Sequence, residues 1–185
     1  MKQAGLSDFL AFLTTLKKSD FGTSVVDNYL GTHRIRSGDL TPYTHFRPDT
    51  YGRNLILKTA NFEFVVLTWL SDQRTPIHDH AGQRCWMLLQ SGTLCFKNYE
   101  TPERDDVCPV ALGCVETHGS GESVYIDDGQ GVHSIANSSG AAAVSLHLYA
   151  GPVPRCRIYN ESAKKFQWVD LTYYTQPKES FFVAS

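Results

Sequence analysis

The spacing of hydrophobic positions changes about fifty residues into the chain. Residues three and four apart share one face of a helix, and this spacing predicts a first helix with an apolar face formed by Leu6, Phe9, Leu10, Leu13 and Leu16. A second short helix is predicted over 24–30. The following segment, 32–51, is rich in Gly, Pro, Thr and His, and we expect it to be irregular.

Beyond residue 51 the pattern is typical of strands. Short runs of β-branched and aromatic residues are separated mostly by Gly, Pro, Asp or Asn, and they predict strands over 55–57, 62–70, 86–90, 92–99, 124–126, 142–149 and 166–174. Many short strands with turn signals between them favour an antiparallel sandwich or barrel. We therefore predict one mainly β domain over 1–185, with a helical and irregular flank (1–50), a jelly-roll β-barrel (51–175) and a tail (176–185).

Composition narrows the class of protein. The 185 residues are 42% hydrophobic and 19% charged, as in an ordinary globular chain. A net charge of -2 without a basic stripe argues against nucleic acid as a partner. No apolar run approaches the roughly 20 residues of a membrane span, and no signal-peptide pattern is visible, so we expect the protein in the cytoplasm. We also expect it to be a monomer. Five cysteines without a CxxC pair predict neither a disulfide framework nor a thiolate zinc site.

Three histidines form a candidate metal site. In an extended segment alternate side chains share a face, so His78 and His80 can bind one metal, although two polar loop residues would give the same pattern. A Gly-rich turn then leads into His133, which would complete a three-histidine face. Such a face leaves metal positions open for substrate and oxygen. The remaining histidines with no assigned role include His33, His45 and His118.

Two further motifs carry polar groups that need partners. Alternation along a strand places Ser145, His147 and Tyr149 on one face, where a hydrogen-bonded relay would satisfy them if that face is buried. An outward polar face is the alternative. Tyr51 and Arg53 would likewise share a face, and the planar guanidinium of Arg53 suits a carboxylate. An exposed arginine is the ordinary alternative there.

Together these motifs resemble the cysteine dioxygenase family, thiol dioxygenases of the cupin superfamily, over roughly 50–156. The first cupin motif is present with Cys85 at its usual Glu position, as in this family, and the second is also recognisable. The matching residues are His78, His80, Cys85 and Gly92 in the first motif, Gly131, His133 and Asn137 in the second, and then the run Ser145-Leu146-His147-Leu148-Tyr149, with Trp69 and Cys156 at family-like spacings.

The resemblance implies a cupin-type jelly-roll fold and an activity. Fe(II) would be bound by His78, His80 and His133. L-cysteine would bind through its thiolate and amine, and both atoms of O2 would end on sulfur, giving cysteine sulfinic acid. Arg53 would pair with the substrate carboxylate, with help from Tyr51 and Tyr149.

The resemblance also implies roles around the tyrosine. Cys85 would form a thioether cross-link to the ring of Tyr149, and His147, held by Ser145, would position that tyrosine. Tyr149, His147, Ser145 and Cys85 would thus be the catalytic residues. Trp69 would pack near the relay, and Cys156 would approach the mouth of the site.

Other functions remain open at this point. A 3-mercaptopropionate dioxygenase is the nearest, although such relatives typically have Gln where this chain has Arg53. A three-histidine zinc or manganese isomerase or hydrolase would not need Cys85 opposite Tyr149, and a non-catalytic sensor domain would not need all of these motifs. The chain also departs from the animal-type members, with Gly151 where they have Pro and Arg84 where His is common.

Overall fold

The computed structural model describes residues 2–22 and 24–177. Its α-helices are α1 (Leu6–Thr15), α2 (Ser24–Thr32) and α3 (Ser37–Leu40), and short 3-10 helices cover Lys18–Gly22, Thr41–Tyr43 and Asp128–Gln130. None of the helices in these described ranges combines the length and apolar character that crossing a membrane requires. The strands are β1 (Lys2–Ala4), β2 (His33–Ile35), β3 (Gly52–Lys58), β4 (Glu63–Trp69), β5 (Cys85–Ser91), β6 (Thr93–Tyr99), β7 (Ala111–Gly119), β8 (Ser123–Ile126), β9 (Val132–Ala136), β10 (Ala143–Tyr149), β11 (Arg155–Asn160) and β12 (Lys165–Asp170).

The strands form a main sheet and smaller ones beside it. The main sheet has five strands in the order β3-β4-β10-β5-β8, and a three-stranded sheet has the order β7-β6-β9. These pairs are antiparallel, as are β11 and β12, whereas β1 and β2 are parallel. Among the described residues the sheets are linked by isolated bridges, such as His78 to His133 and His78 to Ile158, instead of closing into one continuous barrel.

The central strands β4 and β10 are buried on both faces. One face packs against the N-terminal helices through a cluster that includes Phe9, Leu30, Phe64 and Leu146. The other face points between the sheets, with Val65, Leu67 and Trp69 in a second cluster. Each fully buried large apolar side chain stabilises the fold by about 1.5–3 kcal/mol. The helices therefore cover one side of the sheet and leave its inner side to the site.

The mainly β architecture with N-terminal helices is confirmed, and the differences from the predicted elements lie at the periphery. The segment 32–51, predicted to be irregular, contains β2 and α3, because β2 pairs with β1. The predicted strand ranges also leave out β1, β7, β9 and β11. The predicted strand 166–174 ends at Asp170, after which the chain turns towards β3. The division into one domain stays a prediction, and most of the predicted tail, 178–185, lies outside the described residues.

Asn137, in the second cupin motif, connects three segments just after β9. It is fully buried. Its Nδ2 donates to the carbonyl oxygens of Leu70 at 3.1 Å and Ala141 at 2.7 Å, and its Oδ1 accepts from the Ser139 hydroxyl at 2.7 Å. Because buried polar groups that lose their partners are costly, this side chain joins the end of β4 to the turn before β10.

We expect Asn137→Ala to lower the free energy of unfolding by about 2–4 kcal/mol, since it leaves several buried polar groups unpaired. Urea denaturation followed by circular dichroism measures the change. Asn28→Ala, at an exposed position of α2, is the control and should stay within about 0.5 kcal/mol of the unchanged protein. A loss for Asn137→Ala as small as that of the control would contradict the bridging role.

Candidate active site and metal centre

His78 and His133 lie directly opposite each other in an isolated antiparallel bridge. The backbone N–H of His78 donates to the His133 carbonyl at 2.9 Å, and the reverse bond measures 3.1 Å. The turn before His133 requires glycine, because Gly131 has a φ of +103° and a Cβ there would collide with the Tyr99 carbonyl oxygen. The Gly-rich turn predicted from the sequence thus places His133 beside His78.

The loop that carries His78 and His80 is fastened by two aspartates. Asp128 accepts hydrogen bonds from the backbone N–H groups of His80, at 2.8 Å, and Gly82. The buried Asp79 accepts from the backbone N–H of Arg157 at 2.9 Å and from its Nε at 2.7 Å. The loop is therefore attached to β11 on one side and to the 128–130 turn on the other.

The three histidines present a metal-binding group. One ring nitrogen from each of His78, His80 and His133 lies within 4.8 Å of the others. His80 Nδ1 and His133 Nε2 are buried and have no hydrogen-bond partner. His78 Nδ1 lies 3.0 Å from the Pro76 carbonyl oxygen. When the His78 ring is neutral and Nδ1 donates to that oxygen, the lone pair of His78 Nε2 is available for a metal. These residues fit a divalent first-row metal ion, since orphaned buried imidazole nitrogens are costly without a ligand.

The electrostatics keep these rings neutral. Burial, followed by the neighbouring His78 and Arg53, lowers the pKa of His80 to about 3. Burial, followed by the neighbouring histidines, also holds the pKa of His133 well below its usual value, and the pKa of His78 is lowered mainly by burial. At neutral pH each ring therefore keeps a lone pair for coordination.

The inner face of β10 carries the polar relay predicted from the sequence. Ser145, His147 and Tyr149 are buried, so the alternative of an outward polar face is wrong. The Nε1–H of Trp69 donates to Ser145 Oγ at 3.0 Å, and Ser145 Oγ lies 2.9 Å from His147 Nε2. Because an indole N–H can only donate, Ser145 accepts from Trp69 and its hydroxyl hydrogen is available to His147 Nε2.

This arrangement places the proton of the neutral His147 ring on Nδ1. Burial holds the pKa of His147 well below its usual value, and Nδ1 lies 3.8 Å from Cys85 Sγ. The sequence predicted that the relay would act on Tyr149. In the structure it reaches Cys85, and the His147 ring lies 6.2 Å from the Tyr149 ring, nearly parallel to it.

Cys85 and Tyr149 face each other across neighbouring strands. They are paired in the register of β5 and β10, where directly opposite side chains are close enough to touch. Burial raises the pKa of the Cys85 thiol, partly offset by Arg53, and burial also holds the pKa of Tyr149 well above its usual value. Both groups are therefore protonated at neutral pH.

Arg53 is buried, so the alternative of an exposed arginine is also wrong. It is 9% exposed, and its Nη2 donates to Glu63 Oε1 at 2.9 Å. The centre of its guanidinium lies 5.9 Å from the ring centroids of both Tyr149 and Tyr173. Glu63 is not among the site residues predicted from the sequence. Alternation along β4 could have found it, because Glu63 shares the inner face with Trp69.

The site residues line two adjoining cavities. The inner one, of about 20 Å³, is bounded by the histidine group together with Tyr51, Arg53, Trp69, Cys85, His147 and Tyr149. The outer one, of about 120 Å³, shares Tyr51, Arg53 and Tyr149 with it and adds Cys156 and Leu171. Burial raises the pKa of Cys156 to about 11. The ring of Tyr51 stacks on Trp69 at 5.0 Å.

The two departures from the animal-type pattern have different structural settings. Gly151 has a φ of +115°, which proline cannot adopt. The loop after Tyr149 therefore has a backbone conformation that is incompatible with Pro at this position. Arg84 lies 3.5 Å from the Phe21 carbonyl and lines a separate open groove with Lys18 and Asp127.

The three histidines without an assigned role lie elsewhere. His33 stacks on Tyr29, His45 bonds the Pro42 carbonyl, and His118 is half-buried beside Glu122. They are outside the metal-binding group.

Comparison with known proteins agrees with this site. The family model described as "Cysteine dioxygenase type I" matches residues 6–162. The curated relatives include cysteine dioxygenase type 1 of Danio rerio, Rattus norvegicus and Homo sapiens, which are 26%, 25% and 24% identical over 179 residues, covering 95% of this chain and 89% of each relative. A solved Klebsiella pneumoniae protein with a double-stranded β-helix domain matches with a TM-score of 0.49 and 21% identity, over 65% of this chain and 92% of its own.

The antiparallel sheets and the three-histidine group define a cupin, as predicted. The family match covers most of the sequence, and the chain belongs to the cysteine dioxygenase type I family.

We expect His133→Ala to abolish stoichiometric metal binding, because two imidazoles remain and the cluster loses its third donor. Metal content after loading and gel filtration, determined by plasma emission spectroscopy, measures the loss. His118→Ala, outside the cluster, is the matched control and should retain the metal. Full occupancy in His133→Ala would contradict the ligand assignment.

Proposed function

We propose that this chain is a dioxygenase that oxidises the thiol of L-cysteine with O2 to cysteine sulfinic acid, using Fe(II) bound by His78, His80 and His133. One observation carries the proposal: Arg53 and the histidine group line the same small cavity. This cavity suits a short thiol acid, because its metal-binding end and its carboxylate-binding end lie close together. Membership of the cysteine dioxygenase type I family supports the same reaction.

The chain offers the substrate a donor that nothing else uses. Arg53 Nε is buried and has no hydrogen-bond partner, so a substrate carboxylate can accept from it. The ring of Tyr149 lies 5.8 Å from that of His80, between the carboxylate end and the histidine group. We assign Arg53, Tyr51 and Tyr149 to substrate binding, with carboxylate pairing as the main interaction.

The surroundings of the histidine group favour a thiolate and leave little room for water. Bound Fe(II) would supply the redox chemistry and the binding positions for thiolate and O2. Three neutral imidazoles leave the charge of a dication uncompensated, which favours an anionic ligand. An inner cavity of about 20 Å³ admits roughly one water molecule, so a bound thiol would displace it.

We also propose the thioether cross-link between Cys85 Sγ and a ring carbon of Tyr149. Their opposite positions in β5 and β10 support it, and His147 Nδ1 faces the sulfur. Forming this bond removes the thiol hydrogen and one ring hydrogen, with O2 as the two-electron oxidant.

We also propose a reducing compartment such as the cytoplasm as the location of the protein. The free thiols in the structure fit this location; they are Cys85, Cys95, Cys108 and Cys156.

Oxygen uptake by the Fe(II)-loaded protein tests the proposed function. We expect uptake with L-cysteine to exceed that with 3-mercaptopropionate and to yield cysteine sulfinic acid, identified by mass spectrometry. Arg53→Gln keeps a polar side chain but loses the positive charge and the long reach of the guanidinium, and we expect the KM for L-cysteine to rise by about tenfold or more. Iron content should not change.

Arg104→Gln, at an exposed ion pair, is the control for this substitution and should behave as the unchanged protein. Absence of uptake with either thiol would overturn the proposed function. A preference for 3-mercaptopropionate would keep the chemistry and overturn the substrate.

We expect a proteolytic digest of the protein after turnover to contain a peptide pair joined through Cys85 and Tyr149, with a mass lower than the sum of its parts by two hydrogens. Tandem mass spectrometry identifies the linked residues. Cys85→Ser should give separate linear peptides, and Cys95→Ser is the matched control that keeps the link. Linear peptides alone in the unchanged protein would contradict the cross-link.

A further inference from the structure

The guanidinium that faces the cavity already has a carboxylate partner within the chain. Glu63 is completely buried, and its Oε1 lies 2.9 Å from Arg53 Nη2. Its Oε2 accepts the backbone N–H of Val153 at 3.0 Å, just beyond the Tyr149 loop. In the register of the main sheet, Glu63 is directly opposite Tyr149 of β10. A buried acid thus lies beside the end of the cavity that we assign to the substrate carboxylate.

Other contacts also hold the arginine in place. The register of β3 against β4 pairs Arg53 with Leu67, and the Arg53 carbonyl accepts the backbone N–H of Tyr174 at 2.6 Å. The rings of Tyr149 and Tyr173 flank its guanidinium. Backbone contacts and two rings thus hold Arg53 independently of Glu63, and among these groups Glu63 is the one that brings a negative charge.

We propose that Glu63 is a specificity-determining residue, an internal counter-ion that competes with the substrate carboxylate for Arg53 and lowers the affinity of the site for thiol acids. The inference rests on the proposed function, in which Arg53 binds that carboxylate. Two carboxylates on one guanidinium repel each other, and the repulsion is strong where water is excluded. Arg53 is therefore charged and partly neutralised before the substrate arrives.

The same charge acts on the product. Cysteine sulfinic acid keeps the substrate carboxylate and gains an anionic sulfinate group. The Glu63 carboxylate repels this anion as well, which favours its release from a cavity with little space for water.

The discriminating experiment compares L-cysteine with cysteamine, which has the same thiol and amine but no carboxylate. In Glu63→Gln, a substitution that conserves shape and removes the charge, we expect the preference in kcat/KM for L-cysteine over cysteamine to rise by about tenfold, mainly through a lower KM for L-cysteine. Asp106→Asn, at an exposed arginine pair, is the matched control.

A second readout needs no turnover. The melting temperature of the metal-loaded protein is measured in propionate and in chloride at equal ionic strength. Propionate should raise the melting temperature of Glu63→Gln more than that of the unchanged protein, because propionate replaces the missing counter-ion. Should Glu63→Gln fail to fold, propionate in the refolding buffer is expected to restore folding for the same reason.

The outcomes separate the inference from the proposed function. A preference for L-cysteine that falls or stays unchanged in Glu63→Gln would overturn the inference, as would equal propionate shifts or a failure of propionate to restore folding. A fall would mean that Glu63 positions Arg53. No oxygen uptake by the unchanged protein with L-cysteine would instead overturn the proposed function, while the propionate comparison would still test the counter-ion.

Discussion

The structure depends on one constraint, the burial of both faces of β4 and β10. A strand in that position cannot direct its polar side chains to solvent, so each one needs a partner inside the protein. On the face towards the helices the residues are apolar except Thr68, whose hydroxyl donates to the His45 carbonyl at 2.7 Å. On the other face the requirement produces the relay from Trp69 through Ser145 to His147, and the ion pair of Arg53 with Glu63. The site therefore lies on the inner side of the sheet.

The charge distribution of the site follows from the same burial. Burial lowers the pKa of His78, His80 and His133, so the ring cluster carries no charge at neutral pH. The buried positive charge of Arg53 is balanced by Glu63. Without a metal the site is thus nearly neutral, which reduces the cost of burying it. With a dication it becomes positive, which suits a ligand with both a thiolate and a carboxylate.

The sequence predicted the parts of this arrangement that depend on local alternation. The inward face of 145–149 and the pairing of His78 with His80 follow from the two-residue period of extended chain. In the structure the first is buried, and the second lies within the three-histidine group. Glu63 escaped prediction because a single acid inside the apolar run 62–70 gives no local signal of its partner, which comes from β3. Strand β2 was missed for a similar reason, since its pairing with β1 joins segments about thirty residues apart. The sequence also did not show that the relay ends at Cys85, because this contact depends on the register between β5 and β10.

The segment after β12 has a consequence for the outer edge of the main sheet. Strand β3 is an edge strand, and such edges offer unpaired backbone groups to other chains. Here the backbone N–H of Leu55 donates to the Thr175 carbonyl at 2.9 Å, and the Thr175 hydroxyl bonds Asn54 at 2.7 Å. Leu171 of the same segment lines the outer cavity. Cover for the sheet edge and part of the wall of the outer cavity therefore lie in one short stretch of chain, so a change there that uncovers the edge also alters the cavity.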